Sequence, residues 1–170
     1  MHSTRRITGR VVVFGLGSNL GRREANLQMA AKAIELLDGV VPLGRSSVYE
    51  TPPAGGPTQG DYLNAAVGVA TDLPLAVLMD AALVIERSLG RVRPDAVRWG
   101  PRSIDIDLLW CSTETSDEQH VLVPHPRLVE RAFALQPLLE LVPDARDPRL
   151  AAPYSDAPMA CAAIRRLGSF

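Results

Sequence analysis

The sequence predicts an α+β fold in which helices pack on a mostly antiparallel sheet. Four segments are apolar, β-branched or alternating in the way that strands are, and two others carry apolar residues at helical spacing. These elements follow one another as strand, helix, strand, strand, helix, strand. A Pro/Gly loop separates the two central strands, whereas helices connect the others.

The first half of the chain places one helix between two strands. The stretch VVVFGLG at 11–17 has the β-branched, apolar character of a strand, and the SNLG after it is a turn. From 23 to 37 apolar residues recur at helical spacing, and Gly39 follows as a stop signal. The stretch RSSVYET at 45–51 alternates as the second strand.

The second half begins with the Pro/Gly loop at 52–61, which can continue neither a strand nor a helix. The alternating stretch YLNAAVGVAT at 62–71 predicts the third strand. A helix begins near Pro74 and is closed by Gly90. An arginine-rich loop then leads into the fourth strand, within WGPRSIDIDLLW at 99–110.

This element order is the ferredoxin-like split arrangement, and we expect one domain over residues 1–170. Residues 1–9 are expected to form a loose leader, and residues 144–170 an irregular Pro/Ala-rich tail. A short helical region at 127–141 is expected to break near Pro137.

Composition limits the partners and the compartment. The formal net charge of −1 argues against wholesale binding to nucleic acid or to an anionic membrane. No stretch approaches the length of a membrane span. Cys111 and Cys161 make no metal or disulfide pattern and suit a reducing compartment. We therefore expect a cytoplasmic protein that binds neither nucleic acid nor membrane.

The fourth strand carries an unusual pair of carboxylates. Period two places Ile104, Ile106 and Leu108 on one face and both Asp105 and Asp107 on the other. Two carboxylates side by side repel each other unless a cation lies between them, and oxygen ligands of this kind suit Mg²⁺. The alternative is a pair on a solvated edge strand, ion-paired with nearby arginines.

An arginine cluster precedes this strand. Five arginines lie between positions 87 and 102, and only Asp95 opposes them: Arg87, Arg91, Arg93, Arg98 and Arg102. Guanidinium groups beside paired carboxylates form the charge pattern of a metal–polyphosphate site, because they bind the phosphate oxygens that the metal does not neutralise. His125 and Arg131 could extend such a site. A solvated basic loop is the alternative.

Three other functions are less well supported. The glycines of FGLGSNLG invite a dinucleotide-binding interpretation, but their spacing is wrong for it and the element order is not doubly wound. An RNA-recognition module would need exposed aromatic residues, and aromatic residues are only 5% of the chain. A regulatory domain that binds a small molecule would not require two aspartates beside five arginines.

Six motifs in order resemble the 6-hydroxymethyl-7,8-dihydropterin pyrophosphokinase family over residues 11–142. They are GSNLG at 17–21, YETPP at 49–53, DYLNA at 61–65, GRVR at 90–93, RWGPRSIDIDLL at 98–109 and VPHPRLVERAF at 123–133. The resemblance implies a ferredoxin-like α/β/α sandwich. It also implies transfer of pyrophosphate from ATP to 6-hydroxymethyl-7,8-dihydropterin with release of AMP, a step of tetrahydrofolate biosynthesis, by a monomer that uses two Mg²⁺ ions.

The resemblance also assigns roles to residues. Asp105 and Asp107 would bind the Mg²⁺ ions, and Arg91 and Arg102 would be catalytic. The residues implied at the ATP site are Glu86, Arg91, Arg93, Trp99, Arg102, Leu108, His125 and Arg131. Those implied at the pterin site are Thr51, Pro52, Ala54, Tyr62, Asn64 and Phe133. No residue stands out as a general base.

Overall fold

The computed structural model describes residues 9–92 and 100–170. Its strands are β1 (Arg10–Ser18), β2 (Val40–Arg45), β3 (Val48–Thr51), β4 (Tyr62–Thr71), β5 (Asp105–Cys111), β6 (Ser116–Glu118), β7 (Val121–Val123) and β8 (Arg165–Gly168). Its helices are α1 (Arg23–Glu35), α2 (Leu75–Ser88) and α3 (Ala132–Leu141). Short 3₁₀ turns lie at Leu128–Glu130, Tyr154–Asp156 and Pro158–Cys161.

One antiparallel sheet organises the described part of the chain. Its strand order is β5–β1–β4–β3–β8, and β2 also pairs with β4. The central order, with β1 between β5 and β4, is that of the ferredoxin-like arrangement. The predicted α+β class and mostly antiparallel sheet are therefore confirmed. Strands β6 and β7 form a separate hairpin.

Helices cover both faces of the sheet. On one face α1 and α2 pack on a core that includes Phe14, Leu27 and Leu78. On the other face α3 buries Leu135 and Leu138. Full burial of each such side chain is worth about 1.5–3 kcal/mol, so packing from both sides fixes the sheet. Among residues 9–92 and 100–170, no helix combines the length and hydropathy needed to cross a membrane.

The region before the Pro/Gly loop differs from the prediction of one strand at 45–51. The structure contains two strands there, β2 and β3, and both pair with β4. Strand β2 cannot be recognised from the sequence, because it contains Pro42 and Gly44 and both residue types are unfavourable in strands. The register of β2 shifts between them, and such an irregularity is tolerated where proline and glycine interrupt a ladder.

Two features near the C-terminus also differ from expectation. The predicted break near Pro137 is wrong: α3 continues to Leu141 with Pro137 inside it. Burial of the neighbouring Leu135 and Leu138 offsets the hydrogen bond that proline cannot donate. The segment expected to be an irregular tail contains strand β8, which pairs with β3.

Candidate active site

A cavity of about 220 Å³ lies at one end of the sheet. Strands β1, β4 and β5 form its floor, and α3 and the loop at 52–61 contribute to its walls. It is lined by Gly15, Leu16, Gly17, Thr51, Pro52, Pro53, Ala54, Gly55, Gln59, Tyr62, Asn64, Ala65, Arg102, Asp105, Asp107, Leu109, Arg127, Arg131, Phe133 and Ala134. Residues that are far apart in sequence thus share one pocket.

The alternation of β5 places the two aspartates in this cavity. Asp105 and Asp107 line it, whereas Ile106 and Leu108 belong to the core beneath α1 and α2. In the described part of the chain no cluster of three or more Asp, Glu, His or Cys residues could hold a metal. Two carboxylates alone leave the other coordination positions to water and substrate phosphates, which is how Mg²⁺ is commonly bound. The donor set fits Mg²⁺.

Two arginines hold the carboxylate of Asp105. Arg91 Nη1 lies 2.6 Å from Asp105 Oδ1, and Arg102 Nη1 lies 2.7 Å from Asp105 Oδ2. Arg91 is buried and also donates to the carbonyl of Ile104 at 3.0 Å, whereas Arg102 lines the cavity. Of the two arginines expected to be catalytic, the structure therefore places one in the cavity wall and the other beneath it.

Glu86 supports β5 from the side of α2. Its Oε1 accepts a hydrogen bond from the backbone N–H of Ile106 at 2.8 Å and lies 3.9 Å from Arg91 Nη1. Its side chain is 1% exposed. The family resemblance implied that Glu86 lines the ATP site, and in this structure its carboxylate accepts a hydrogen bond from the backbone between the two aspartates.

All six residues expected at the pterin site line the cavity: Thr51, Pro52, Ala54, Tyr62, Asn64 and Phe133. Asn64 Nδ2 donates to Thr51 Oγ1 at 2.9 Å, which fixes the orientation of the amide. Asn64 is buried, so the hydrogen-bonding groups of its amide that do not contact Thr51 are accessible mainly to a ligand in the cavity. Aromatic rings beside an oriented amide suit a flat heterocycle with hydrogen-bonding edges.

Two glycines of β1, Gly15 and Gly17, also line the cavity, although neither was among the site residues expected from the sequence. Gly15 pairs with Asp107 and Gly17 pairs with Asp105. A Cβ on Gly17 would lie 3.4 Å from Asn64 Oδ1 and 3.6 Å from the Tyr62 ring. The absence of a side chain therefore keeps space between the aromatic wall and the carboxylates. The i, i+2 spacing of the two glycines is the sequence signal for this space, because residues two apart in a strand lie on the same face.

Of the remaining residues expected at the ATP site, some line the cavity and others do not. Arg131 lines the cavity, and its guanidinium carbon lies 5.7 Å from the centre of the Phe133 ring. Leu108 is in the core, so its side chain does not face the cavity. Arg93 and Trp99 lie outside the described residues.

His125 is held in one tautomer. Its Nδ1 accepts a hydrogen bond from the backbone N–H of Arg127 at 3.1 Å, which leaves the proton of a neutral ring on Nε2. Burial, followed by the nearby Arg131 charge, lowers the pKa of His125 to about 4. The ring is therefore neutral at pH 7 and can donate from Nε2.

This lowered pKa predicts a pH-dependent loss of stability. The unfolded chain binds a proton at His125 near pH 6.5, whereas the native state resists protonation until about pH 4. The free energy of unfolding should therefore fall as the pH decreases through this window. From pH 7 to pH 5 we expect His125 to account for about 1 kcal/mol, after allowing for solvent screening of the partly exposed ring.

His125→Asn is the matched variant, because an amide oxygen can still accept from Arg127 N–H without titrating. Urea unfolding at pH 7 and pH 5 should show a smaller pH effect for the variant than for the wild type. An equal loss in both proteins would show that His125 is not the titrating group.

Comparisons with known proteins place the chain among enzymes. The model of the 7,8-dihydro-6-hydroxymethylpterin-pyrophosphokinase (HPPK) family matches residues 13–143. The 2-amino-4-hydroxy-6-hydroxymethyldihydropteridine pyrophosphokinase of Methylorubrum extorquens is 47% identical over 131 residues, which are 76% of this chain and 81% of that protein. The Bacillus subtilis enzyme of the same name is 40% identical over 131 residues, 77% of each chain.

Solved structures share the fold. A crystal structure of an HPPK-DHPS in complex with substrates has a TM-score of 0.62 at 13% identity and covers 88% of this chain. The Plasmodium falciparum HPPK-DHPS A437G structure with pteroate has a TM-score of 0.60 at 14% identity and covers 89%. The chain spans 43% of the length of each of these larger proteins. Because the family model matches most of the chain and two named enzymes are 40% and 47% identical to it, the chain belongs to the 7,8-dihydro-6-hydroxymethylpterin-pyrophosphokinase family.

Proposed function

We propose that this chain transfers the β,γ-pyrophosphoryl unit of ATP to the hydroxymethyl group of 6-hydroxymethyl-7,8-dihydropterin. Its family membership supports this reaction, and one structural observation supports the assignment of the site. A single cavity contains both the carboxylate pair with Arg102 and the aromatic and amide residues Tyr62 and Asn64. A polyphosphate and a flat heterocycle can therefore be bound side by side.

The reaction transfers one group directly from ATP to the pterin. The hydroxymethyl oxygen attacks the β-phosphorus and forms a new O–P bond. The bond from the β-phosphorus to the α,β-bridging oxygen breaks, AMP leaves with the electron pair, and the hydroxyl proton is lost. Catalysis of such a step rests mainly on positioning the reactants and stabilising phosphate charge.

The pterin half of the site orients the acceptor. Tyr62 and Phe133 offer ring surface to the flat pterin, and Asn64, which Thr51 orients, can bond to its polar edge. Pro52 and Ala54 close the side formed by the 52–61 loop. These contacts direct the hydroxymethyl group toward the carboxylate pair.

The phosphate half of the site contains the charged side chains, which are arginines and aspartates. Arg102 and Arg131 line the cavity and can bind phosphate oxygens, and neutral His125 can donate from Nε2. Asp105 and Asp107 would hold two Mg²⁺ ions, which when bound neutralise phosphate oxygens. Arg91, buried under Asp105, keeps that carboxylate in place.

The same family membership supports a monomeric enzyme that acts in the cytoplasm. Its partners are then the two small substrates, with neither nucleic acid nor membrane among them.

Product analysis tests the function. The protein is incubated with ATP, Mg²⁺ and the reduced hydroxymethylpterin, and the nucleotide products are separated. We expect AMP that depends on the pterin and is lost in EDTA. Formation of ADP instead would show an ordinary phosphotransferase, and no turnover at all would favour a binding domain.

A further inference from the structure

Asn19 connects two segments that border opposite halves of the cavity. It directly follows β1 and is 8% exposed. Its Nδ2 donates to Gln59 Oε1 at 2.8 Å and to the carbonyl of Gly60 at 3.1 Å. Its Oδ1 accepts from the backbone N–H of Arg102 at 2.7 Å, and its own N–H donates to the Arg102 carbonyl at 3.1 Å. One buried side chain thus bonds to both segments.

The two segments belong to different substrates in the proposed reaction. The loop at 52–61 carries Pro52 and Ala54 of the pterin half, and Gln59 also lines the cavity. The segment at 100–104 carries Arg102, whose guanidinium bonds to Asp105 in the phosphate half. Asn19 itself does not line the cavity, so it acts through these neighbours.

We infer that Asn19 is a positioning residue that couples pterin binding to nucleotide binding. This inference rests on the proposed function, because it takes the pterin to lie beside the 52–61 loop and the phosphates beside Arg102. Asn19 is not among the residues that the family motifs assigned to either substrate.

The physical basis is the rigid, planar amide. Its oxygen is bound to one segment and its nitrogen to the other, so a displacement of either segment strains the hydrogen bonds to the other. When phosphates fix Arg102, Asn19 is fixed as well, and less conformational entropy remains to be lost when the 52–61 loop orders around the pterin. The effect is reciprocal, because a coupling free energy is shared by both ligands.

A thermodynamic cycle of binding measurements gives the coupling between pterin and nucleotide binding. Calorimetry gives the Kd of 6-hydroxymethylpterin for the full chain alone and in the presence of Mg²⁺ with α,β-methylene-ATP, whose α–β bond cannot be cleaved in the transfer. Couplings between sites typically change affinity by about 5–150-fold, and we expect the wild-type ratio of the two Kd values to fall in that range.

Two variants distinguish the hydrogen bonds that Asn19 makes to the 52–61 loop from those that it makes to the 100–104 segment. Asn19→Ala removes every side-chain bond. Asn19→Asp keeps an acceptor for Arg102 N–H but removes the donor to the Gly60 carbonyl, so on the loop side only a bond from Gln59, whose amide can turn to donate, can remain. In Asn19→Ala the Kd ratio should fall to within about twofold of one, and in Asn19→Asp it should fall between that value and the wild-type ratio, while each ligand still binds.

Asn26→Ala is the matched control. Asn26 Nδ2 donates to the Ser103 carbonyl at 2.8 Å and to the Leu20 carbonyl at 3.1 Å, so it supports the 100–104 segment. In the described part of the chain it has no hydrogen bond to the 52–61 loop. We expect this control to lower stability but to keep the wild-type Kd ratio, which distinguishes coupling from general loosening.

The outcomes separate the inference from the function on which it rests. Retention of the wild-type ratio by Asn19→Ala would overturn the inference, and so would wild-type protein that binds both ligands independently. If the wild type bound neither ligand, the proposed function would be overturned together with the inference.

Discussion

Asp107→Asn should lower the rate of AMP formation by about 10³-fold, because the transfer depends on charge placed at the phosphates before reaction. Asparagine has nearly the same shape as aspartate but lacks the negative charge that binds Mg²⁺ strongly. Asp107 is a better target than Asp105, because Asp105 also holds Arg91 and Arg102 and its loss would disturb a buried guanidinium. Initial rates at saturating ATP and pterin give the measurement, and urea unfolding checks the fold.

Asp117→Asn provides the control for this experiment. Asp117 lies in β6, its side chain is 78% exposed, and it pairs with Arg149 rather than with any residue of the cavity. Its replacement should leave the rate within about twofold of wild type, since exposed ion pairs contribute little. If Asp107→Asn kept most of the wild-type rate, the carboxylate pair would have only a structural role, as in the edge-strand alternative.

Regular periodicity made much of the fold predictable. The alternation around Asn64 and the helical spacing from Leu75 to Leu89 correspond to β4 and α2. Period two also placed Asp105 and Asp107 on one face, and both line the cavity. Strand β2 escaped detection because Pro42 and Gly44 are poor strand residues, and its pairing with β4 depends on tertiary context. Strand β8 is too short to show a period, and β3 supplies its hydrogen-bonding edge.

The contacts that organise the site were less accessible from the sequence. Motif resemblance supplied the pterin-side residues, all of which line the cavity. It could not show that Asn19 spans two loops or that Glu86 lies behind β5, because both depend on which backbone groups meet across the fold. Gly17 likewise gains its importance from the space that it leaves next to Asn64. Such roles arise from three-dimensional neighbours rather than from residue type.

Glu86→Ala should lower the free energy of unfolding by about 3–5 kcal/mol, the usual cost of removing one partner of a buried ion pair. The variant would leave the Ile106 N–H without its 2.8 Å acceptor and would remove the carboxyl group near Arg91. Both groups are buried beside the strand that carries the aspartates, so water cannot readily replace the lost partner. Urea unfolding at pH 7 measures the change.

Glu86→Gln distinguishes the hydrogen bond from the charge. The amide oxygen of glutamine can still accept from Ile106 N–H, whereas the negative charge facing Arg91 is lost. We expect glutamine to recover part of the stability that alanine loses, leaving a deficit of about 1–3 kcal/mol. If alanine and wild type unfolded at the same urea concentration, Glu86 would not support β5, and the buried contact with Ile106 would be energetically neutral. If glutamine were as destabilised as alanine, the charge beside Arg91, rather than the hydrogen bond to the strand, would be what holds the aspartates in position.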